Sequence, residues 1–363
     1  MHNSISGDIT EVSLLSDFDN HTLVSFIEDK ENGFRSVIAV HRANPEVPSF
    51  GATRLWHYVD SIDGLKDALR LSRGMSYKAA LAGLQCGGAK GVILLPKKDI
   101  SESERTLFIK EYASRVNVLG GNFVTGIDVG VQQEDLEKMR SVSKYIVGFN
   151  NNSTEFTALG LYESIRTALK EVFDSSDPSG RSFAIQGLGK VGGGLLDFLY
   201  DTAGETSKIF VSDINESLVE MTKEKFPRVI PVSAEEISRQ EVDVFVPCAL
   251  GGGLRHDSIK DFRVKIIAGG ANNQLEDESV GDDLHKSGIL YAPDYVVNAG
   301  GLIAVFDEYK HDTYSRERVE TVVRNIPNVL KKIFTESKLE NLATNRVANR
   351  MAEKIFNEYA KTR

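Results

Sequence analysis

The first part of the chain combines hydrophobic patterns of two different periods. Residues 21–28 and 34–41 are β-branched and aromatic runs with partial alternation, which is typical of strands. Residues 62–82 repeat their apolar positions at helical spacing, and Ser101 followed by Glu104 predicts a capping box at the start of a further helix. The pattern predicts a mixed α/β domain with further strands at 52–58, 91–95 and 123–127.

After a helix predicted at residues 156–173, strands and helices alternate. Short apolar runs are typical of buried parallel strands, and the segments between them have helical spacing. Such alternation predicts a doubly wound parallel sheet. Residues 319–360 are predicted to be helical throughout. The predicted strands are 182–186, 208–212, 242–247 and 264–268, and the predicted helices between them are 191–200 and 216–225.

Length, charge and cysteine content narrow the class of protein. A chain of 363 residues is long enough for two domains. Acidic residues outnumber basic ones 52 to 43, and the net charge of -9 argues against a nucleic-acid partner. No apolar stretch approaches the ~20 residues of a membrane span or forms a signal-peptide core, so we expect no membrane partner and a cytoplasmic location. Cys86 and Cys248 lie outside any CxxC pattern, which predicts neither a disulfide nor a metal site.

A glycine pattern in the second region predicts a dinucleotide site. Gly187, Gly189 and Gly192 form GxGxxG between a predicted strand and a predicted helix. These glycines permit a tight turn, close approach of the backbone to a pyrophosphate, and close packing of the helix on the strand. The helix N-terminus then offers N–H groups to the phosphates. Asp213 ends the next strand, where a carboxylate accepts hydrogen bonds from the adenine ribose; the other interpretation is a plain turn residue.

Two lysines stand close to paired glycines in an apolar stretch of the first region. Lys78 precedes the glycines and Lys90 follows them. Burial disfavours the charged form of a lysine and lowers its pKa, and a neighbouring cation adds to that effect. A lysine in such a place can act as a base near neutral pH. Spacing alone leaves open that both lysines are ordinary surface residues.

Ordered motifs over residues 37–305 resemble the glutamate/leucine/phenylalanine/valine dehydrogenase superfamily, specifically its leucine/phenylalanine branch. The resemblance implies an α/β fold with a substrate-binding and oligomerisation domain of residues 1–148 and 335–363. It also implies a Rossmann NAD-binding domain of residues 149–334, with the active-site cleft between the two. The motifs are 51–54, Lys78, 87–90, 125–130, 187–189, 247–251, 271–274 and 291–301.

The resemblance implies roles for three charged residues. Lys78 binds the substrate α-carboxylate, and Lys90 is the general base for the water that attacks the imine. Asp128 exchanges protons with the amino group and the departing ammonia. From the residues alone, Asp128 has the alternative of a helix cap for the segment 134–139. The other substrate positions that the resemblance implies are Phe50, Gly51, Met75, Gly126 and Asn298.

The resemblance also implies NAD as the cofactor. Asp213 itself favours NAD over NADP, because a 2′-phosphate would face a carboxylate, and Ile214 and Asn215 supply no arginine. The family has a proline-containing loop before its nicotinamide threonine, whereas residues 151–156 before Thr157 contain no proline. The implied cofactor residues are Gly187, Leu188, Gly189, Lys190, Val191, Gly192, Asp213, Ile214, Thr157, Cys248, Ala249, Leu250, Ala271, Asn272 and Asn298.

The reaction that the resemblance implies is reversible oxidative deamination of an apolar L-amino acid to a 2-oxo acid and ammonium, by a homo-oligomer. Met75 stands where the glutamate branch needs a cation, which argues against glutamate. Gly126 lacks a Cβ and predicts a pocket deeper by about a methyl group, so aromatic substrates are slightly favoured. Phe50 acts in the other direction, since it fills space where the leucine type has leucine. The alternatives are a leucine/valine-type enzyme and an inactive NAD-binding paralogue that acts as a sensor or scaffold.

Overall fold

The computed structural model describes residues 12–43, 46–149, 153–249, 251–311 and 314–361. The chain forms two compact units. Unit 1 runs to Phe149 and resumes at Ile355, and unit 2 is Asn150–Lys354. Within the described ranges, no helix is both long enough and apolar enough to cross a membrane.

Unit 1 combines helices with a mixed β-sheet. Its described elements are β1 (Leu23–Asp29), β2 (Phe34–His41), β3 (Ser49–Trp56), α1 (Ser61–Leu81), β4 (Gly88–Leu94), α2 (Glu102–Val118), β5 (Phe123–Ile127) and α3 (Gln133–Arg140). The strands form a five-stranded sheet with the order β1-β2-β4-β3-β5. β2 pairs antiparallel with β1 and β4, whereas β3 pairs parallel with β4 and β5. β4 is therefore an inner strand with a partner on each side.

Helices cover both faces of this sheet. Successive residues of a strand point to opposite faces, and the core follows that alternation. Val92 packs with Leu69 of α1 on one face, and Ile93 packs with Tyr112 of α2 on the other. The capping box predicted at the start of α2 is confirmed.

Unit 2 is built on a parallel sheet, and the predicted doubly wound arrangement is confirmed. Its described elements are α4 (Ser153–Phe173), β6 (Ser182–Gln186), α5 (Lys190–Ala203), β7 (Lys208–Ser212), α6 (Glu216–Lys225), β8 (Ile230–Pro231), β9 (Val244–Pro247), β10 (Ile266–Ile267), α7 (Glu278–Lys286), β11 (Leu290–Tyr291), α8 (Asp294–Val297), α9 (Gly300–Lys310), α10 (Arg316–Val323), α11 (Ile326–Glu340) and α12 (Thr344–Lys361, which ends in unit 1), with 3-10 turns at Ile237–Arg239 and Ile259–Asp261.

The strand order of this sheet indicates where a ligand binds. The order is β11-β10-β9-β6-β7-β8, and all pairs are parallel. The chain runs outward from β6 to β8 on one side and from β9 to β11 on the other, so the direction reverses between β6 and β9. In doubly wound sheets, ligands bind outside the carboxyl ends of the strands at such a reversal.

The second change of unit lies later in the chain than residue 334, where we predicted it. α11 belongs to unit 2 because its buried face, which includes Phe334, packs on α4. The start of α12 is held in the same unit, because the Thr344 hydroxyl donates to the Tyr291 carbonyl at 2.6 Å. Residues 335–354 therefore belong to unit 2.

Candidate functional site

Lys90 lies in the middle of the unit 1 sheet. On β4 it is in register with Ala39 of β2 and Ala52 of β3, and Gly126 of β5 is in register with Ala52. Residues in register on neighbouring strands point to the same face, so the lysine side chain stands beside positions with little or no side chain. Lys90 is only 5% exposed, and the interpretation of this lysine as a surface residue is therefore wrong.

The buried ammonium group of Lys90 is paired with a carboxylate. Asp128 directly follows β5, and Lys90 Nζ donates to Asp128 Oδ2 at 2.6 Å. Arg54 Nε donates to the same oxygen at 3.0 Å. At the start of α3, the Gln132 N–H donates to the Asp135 carboxylate at 2.8 Å, so that helix is capped without Asp128. The interpretation of Asp128 as a helix cap is wrong.

Burial and charge act in opposite directions on this pair. Burial lowers the pKa of Lys90 and outweighs the opposing effect of the Asp128 carboxylate. Burial also acts to raise the pKa of Asp128, but the cations of Lys90 and Arg54 outweigh it and hold that pKa below its ordinary value. The site therefore places an ionised carboxylate beside an amine that loses its proton more readily than in water.

α1 brings Lys78 and Met75 to the start of β4. Ser76, which lies between them, accepts a hydrogen bond from the Gly88 N–H at 2.9 Å. A Cβ on Gly88 would lie 2.0 Å from the Ser76 amide nitrogen, so this approach of helix to strand requires glycine. Lys78 and Met75 are half-buried there, and their substrate contacts stay predictions.

Phe50 and Gly51 are neighbours on β3 and face opposite sides of the sheet. Phe50 lies two residues before Ala52, so it shares the face of Lys90, and it is 1% exposed. A Cβ on Gly51 would lie 1.7 Å from the Ala89 carbonyl oxygen. The close approach of two strands therefore requires glycine at position 51, and its substrate contact stays a prediction.

Gly126 faces the backbone at Val147. The Val147 N–H donates to the Thr125 carbonyl at 3.0 Å, so this segment runs alongside β5. A Cβ on Gly126 would lie 3.2 Å from the Val147 carbonyl oxygen, which is closer than ordinary van der Waals contact. The space that the missing methyl group leaves is thus bordered by backbone at this point.

The glycine turn of unit 2 has the conformation that its motif requires. Gly187 has a φ of 94°, and Gly189 is the N-cap residue of α5. A Cβ on Gly192 would lie 1.9 Å from the Gly187 carbonyl oxygen, so α5 packs closely on the turn. At Gly189, no described atom would lie within 4 Å of a Cβ. The turn is closed where it packs against protein and open where a pyrophosphate approaches the backbone.

Asp213, at the end of β7, is tied to the glycine turn. Its Oδ2 accepts a hydrogen bond from the Leu188 N–H at 2.7 Å, and its Oδ1 accepts one from the Asn215 N–H at 2.8 Å. The carboxylate therefore supports two turns, and its contact with ribose stays a prediction. Ile214 beside it is 91% exposed, and its contact with the cofactor stays a prediction.

Asn298 lies in a polar turn just before α9. Its Nδ2 donates to Asn272 Oδ1 at 2.9 Å and to the Gly270 carbonyl at 3.2 Å. The residue is 6% exposed, and its Oδ1 has no hydrogen-bond partner among the described residues. Buried amide oxygens in folded proteins nearly always accept a hydrogen bond, so this oxygen is suited to accept one from a ligand.

Thr157 is near the same end of α9. Its hydroxyl donates to the Ser153 carbonyl at 3.0 Å, and a Cβ on Gly301 would lie 3.0 Å from that hydroxyl oxygen. The structure thus brings Thr157 and Asn298 to the start of one helix. Residues 150–152 of the preceding loop lie outside the described residues.

The remaining predicted cofactor residues lie around the ends of β6 and β9. The Cys248 N–H donates to the Gln186 carbonyl at 2.7 Å, and the Ala271 N–H donates to the Pro247 carbonyl at 3.0 Å. Both loops are thereby tied to strand ends. Leu250 lies outside the described residues. Three further members of the predicted set are exposed or half-buried at these turns: Lys190, Val191 and Ala249.

These features of unit 2 fit a nicotinamide dinucleotide. The open backbone at Gly189 and the N-terminus of α5 suit a pyrophosphate. Asp213 follows β7, where a carboxylate takes ribose hydroxyls. The unpartnered Asn298 oxygen supplies a buried acceptor. The residues present therefore fit such a cofactor, and their contacts with it stay predictions.

Arg54 and Val147 belong to the unit 1 site, although we assigned neither a role from the sequence. Strand alternation puts Arg54 on the same face as Ala52, two residues earlier, and the pairing of β3 with β4 puts that face beside Lys90. The sequence carries the first of these signals but not the second. The contact of Val147 with Gly126 has no signal in the sequence, because it depends on how the chain returns along β5.

Two family models match this chain. The model for the Glu/Leu/Phe/Val dehydrogenase dimerisation domain matches residues 20–145. The model for Glutamate/Leucine/Phenylalanine/Valine dehydrogenase matches residues 208–358. Together they cover most of both units.

Curated relatives and a solved structure agree with these models. The chain is 38% identical over 347 residues to a leucine dehydrogenase of Geobacillus stearothermophilus, covering 94% of this chain and 92% of the relative. It is 36% identical over 354 residues to a phenylalanine dehydrogenase of Bacillus thermotolerans, covering 94% and 90%. The crystal structure of L-tryptophan dehydrogenase from Nostoc punctiforme matches with a TM-score of 0.79 and 38% identity, covering 94% of this chain and 97% of that one.

Proposed function

The chain belongs to the glutamate/leucine/phenylalanine/valine dehydrogenase family, and from that membership we propose that it catalyses the reversible, NAD-dependent oxidative deamination of an apolar L-amino acid. The products are a 2-oxo acid and ammonium. The observation that carries the proposal is the buried contact of 2.6 Å between Lys90 Nζ and Asp128 Oδ2. This contact supplies the adjacent proton acceptor and donor that deamination requires.

Three residues of unit 1 have separate roles in the proposed reaction. Lys90 in its neutral form takes a proton from the water that attacks the imine carbon, and burial favours that form by lowering the lysine pKa. Asp128 exchanges protons with the substrate amino group and with the departing ammonia. Lys78 binds the substrate α-carboxylate through its charge.

Unit 2 binds the cofactor. When bound, NAD accepts the hydride that leaves the substrate Cα. Backbone N–H groups at the start of α5 hold the pyrophosphate, and Asp213 takes the ribose hydroxyls. The buried Asn298 Oδ1 accepts an N–H from the nicotinamide or the substrate. A 2′-phosphate would face the Asp213 carboxylate without an arginine at positions 214–215, so we propose NAD over NADP.

The substrate side chain is apolar in this proposal. Phe50 and Met75 offer no charge to pair with a carboxylate, and an unpaired buried charge is costly. Gly126 favours aromatic side chains slightly. The second candidate is a leucine/valine-type enzyme, which the backbone of Val147 favours because it borders the space at Gly126.

A panel of amino acids tested with NAD and with NADP checks this function. The expected result is NADH formation with large apolar L-amino acids, none with glutamate, and a slight preference for aromatic over branched side chains. A clear preference for glutamate or alanine would refute the pocket argument. A chain that binds NADH but oxidises no amino acid in the panel would instead be the inactive paralogue.

We also propose that the chain forms a homo-oligomer in the cytoplasm. The model that matches residues 20–145 is that of a dimerisation domain. Both cysteines are free thiols, which fits a reducing compartment. Light scattering that shows a monomer at micromolar concentration would contradict the oligomer.

A further inference from the structure

Arg54 connects the Lys90–Asp128 pair to a second carboxylate. It lies on β3 with its side chain 20% exposed. Its Nε donates to Asp128 Oδ2 at 3.0 Å, and its Nη1 donates to Asp67 Oδ2 on α1 at 2.5 Å. The guanidinium therefore bridges two carboxylates, of which only Asp128 has a part in the proposed chemistry.

Asp67 is itself held from two sides. The Tyr58 hydroxyl donates to Asp67 Oδ2 at 2.6 Å, and Arg70 Nη2 donates to Asp67 Oδ1 at 3.0 Å. Burial, and after it the Asp67 carboxylate, raises the pKa of Tyr58, so the phenol stays a neutral donor. Asp67 is thus a fixed anchor for the Arg54 side chain.

One oxygen of Asp128 receives both cations, and this geometry has a chemical consequence. Lys90 Nζ and Arg54 Nε both donate to Oδ2. Lys90 must be neutral before it can accept a proton in the proposed reaction, whereas arginine stays charged at any working pH. When Lys90 is neutral, Arg54 is the permanent cation that remains on the carboxylate. A salt bridge that only joined β3 to α1 would need Asp67 and not Asp128.

The charges around Lys90 act with this geometry. The charged groups with the largest effect on Lys90 are Asp128 after β5, Arg54 on β3 and Asp67 on α1. Burial is the largest cause that lowers the lysine pKa, and the Arg54 cation acts in the same direction, whereas the two carboxylates oppose it. Removal of the Arg54 charge therefore makes Lys90 hold its proton to a higher pH.

We propose that Arg54, anchored by Asp67 and Tyr58, is a positioning residue that fixes the Asp128 carboxylate against Lys90 and keeps it ionised while Lys90 loses its proton. The inference rests on the proposed function, because it concerns the order in which the two catalytic groups ionise. It extends that function by assigning a role to a side chain that need not touch substrate or cofactor.

The pH dependence of kcat/KM for oxidative deamination tests the inference. In wild type, kcat/KM should rise with pH along one limb of the profile, as Lys90 loses its proton. In Arg54→Gln this limb shifts upward by about one pH unit. At pH values below the midpoint of the limb, kcat/KM of the variant is therefore about tenfold lower than that of wild type, and at higher pH the two values agree. Arg54→Lys retains a cation and returns the limb toward its wild-type position. Asp67→Asn keeps an acceptor for Arg54 but removes an anion near Lys90, so its limb shifts the other way.

The matched control is Arg115→Gln, which breaks an exposed ion pair with Glu111 on α2 and leaves the limb unmoved. A merely structural Arg54 would lower kcat/KM in Arg54→Gln by the same factor at every pH, without moving the limb. That result, or a wild-type profile in Arg54→Gln, overturns the inference.

A second measurement separates this inference from the proposed function. If the wild-type enzyme oxidises no amino acid, the proposed function fails. The titration of Lys90 Nζ is then followed by ¹⁵N NMR in wild type and Arg54→Gln, with Lys90→Ala to assign the signal. A higher midpoint in Arg54→Gln upholds the role of Arg54 in the pair, and equal midpoints overturn it.

Discussion

The site in unit 1 is made of charged side chains, whereas the site in unit 2 is made largely of backbone shape. In unit 1, a single Asp128 oxygen joins Lys90 and Arg54 within 3.0 Å. In unit 2, Gly189 leaves the turn open and Gly192 lets α5 close on it. Proton transfer needs groups whose charge can change, whereas binding a pyrophosphate needs N–H groups at fixed positions. Charge substitutions should therefore damage the first site, and single methyl groups should damage the second.

The largest effect is expected from Lys90→Ala. Loss of a general base typically costs about 100–10,000-fold, so kcat should fall by at least ~100-fold. NADH affinity should survive, because the cofactor residues lie in unit 2. Steady-state kinetics and NADH fluorescence titration measure the two quantities. Lys110→Ala, an exposed lysine on α2, is the control, and near-normal turnover in Lys90→Ala would remove Lys90 from the mechanism.

The next effect tests the backbone site with a single methyl group. Gly189→Ala meets no described protein atom within 4 Å, so the melting temperature should stay close to wild type. The methyl group does obstruct the approach of a pyrophosphate, and an overpacked contact costs about 1–3 kcal/mol, which weakens NADH binding about tenfold.

Gly74→Ala is the control for the glycine test, since its Cβ also meets nothing within 4 Å and it lies in unit 1. It should leave NADH affinity unchanged. Unchanged affinity in Gly189→Ala as well would show that the cofactor does not approach the turn there, and would break the contrast between the two sites.

A smaller effect concerns Asp213, where unit 2 uses charge. Asp213→Asn keeps an acceptor for the Leu188 N–H but removes the charge that would face a 2′-phosphate. The ratio of kcat/KM with NADP to that with NAD should rise about tenfold, with little change in melting temperature. Asp213→Ala should raise the ratio and also lower the melting temperature. If the wild-type protein uses NADP as efficiently as NAD, the inference that Asp213 selects NAD is wrong.

The smallest expected effect is on substrate choice in Gly126→Ala. The added Cβ lies 3.2 Å from the Val147 carbonyl oxygen, so the backbone must yield slightly. One methyl group in such a pocket is worth about 1–3 kcal/mol, and the lower end predicts an about fivefold shift from phenylalanine toward leucine. A ratio of kcat/KM values for the two substrates checks it. An unchanged ratio would mean that position 126 does not contact the side chain.

The glycine turn of unit 2 can be located from the sequence alone, whereas the charged cluster of unit 1 cannot, for a physical reason. Gly187, Gly189 and Gly192 are close in the chain, so their spacing alone carries the motif. Arg54, Asp67 and Asp128 come from β3, α1 and the end of β5, and only the fold brings them together. Without the family resemblance, two interpretations would have stayed open for each residue. Lys90 could have been a catalytic base or a surface lysine, and Asp128 could have been a catalytic carboxylate or a helix cap.

Strand boundaries show the same limit. β4 begins at Gly88, three residues before the predicted start at residue 91, because pairing with β2 and β3 holds glycine and lysine in a strand against their local preference. The strands β8 and β11, of two residues each, were not predicted, whereas the equally short β10 was predicted as part of the apolar run 264–268. The unpartnered oxygen of Asn298 is likewise visible only in the folded chain.

The most direct test of the central claim, that Lys90 acts as a base beside ionised Asp128, is the pH dependence of kcat/KM for oxidative deamination in wild type and Lys90→Ala. The active form of Lys90 is deprotonated, so activity should be present above the lysine pKa and be lost as the pH falls through it. The residual activity of Lys90→Ala should lack that rise. A rise of the same position and size in Lys90→Ala would come from the substrate amine, and would contradict the account.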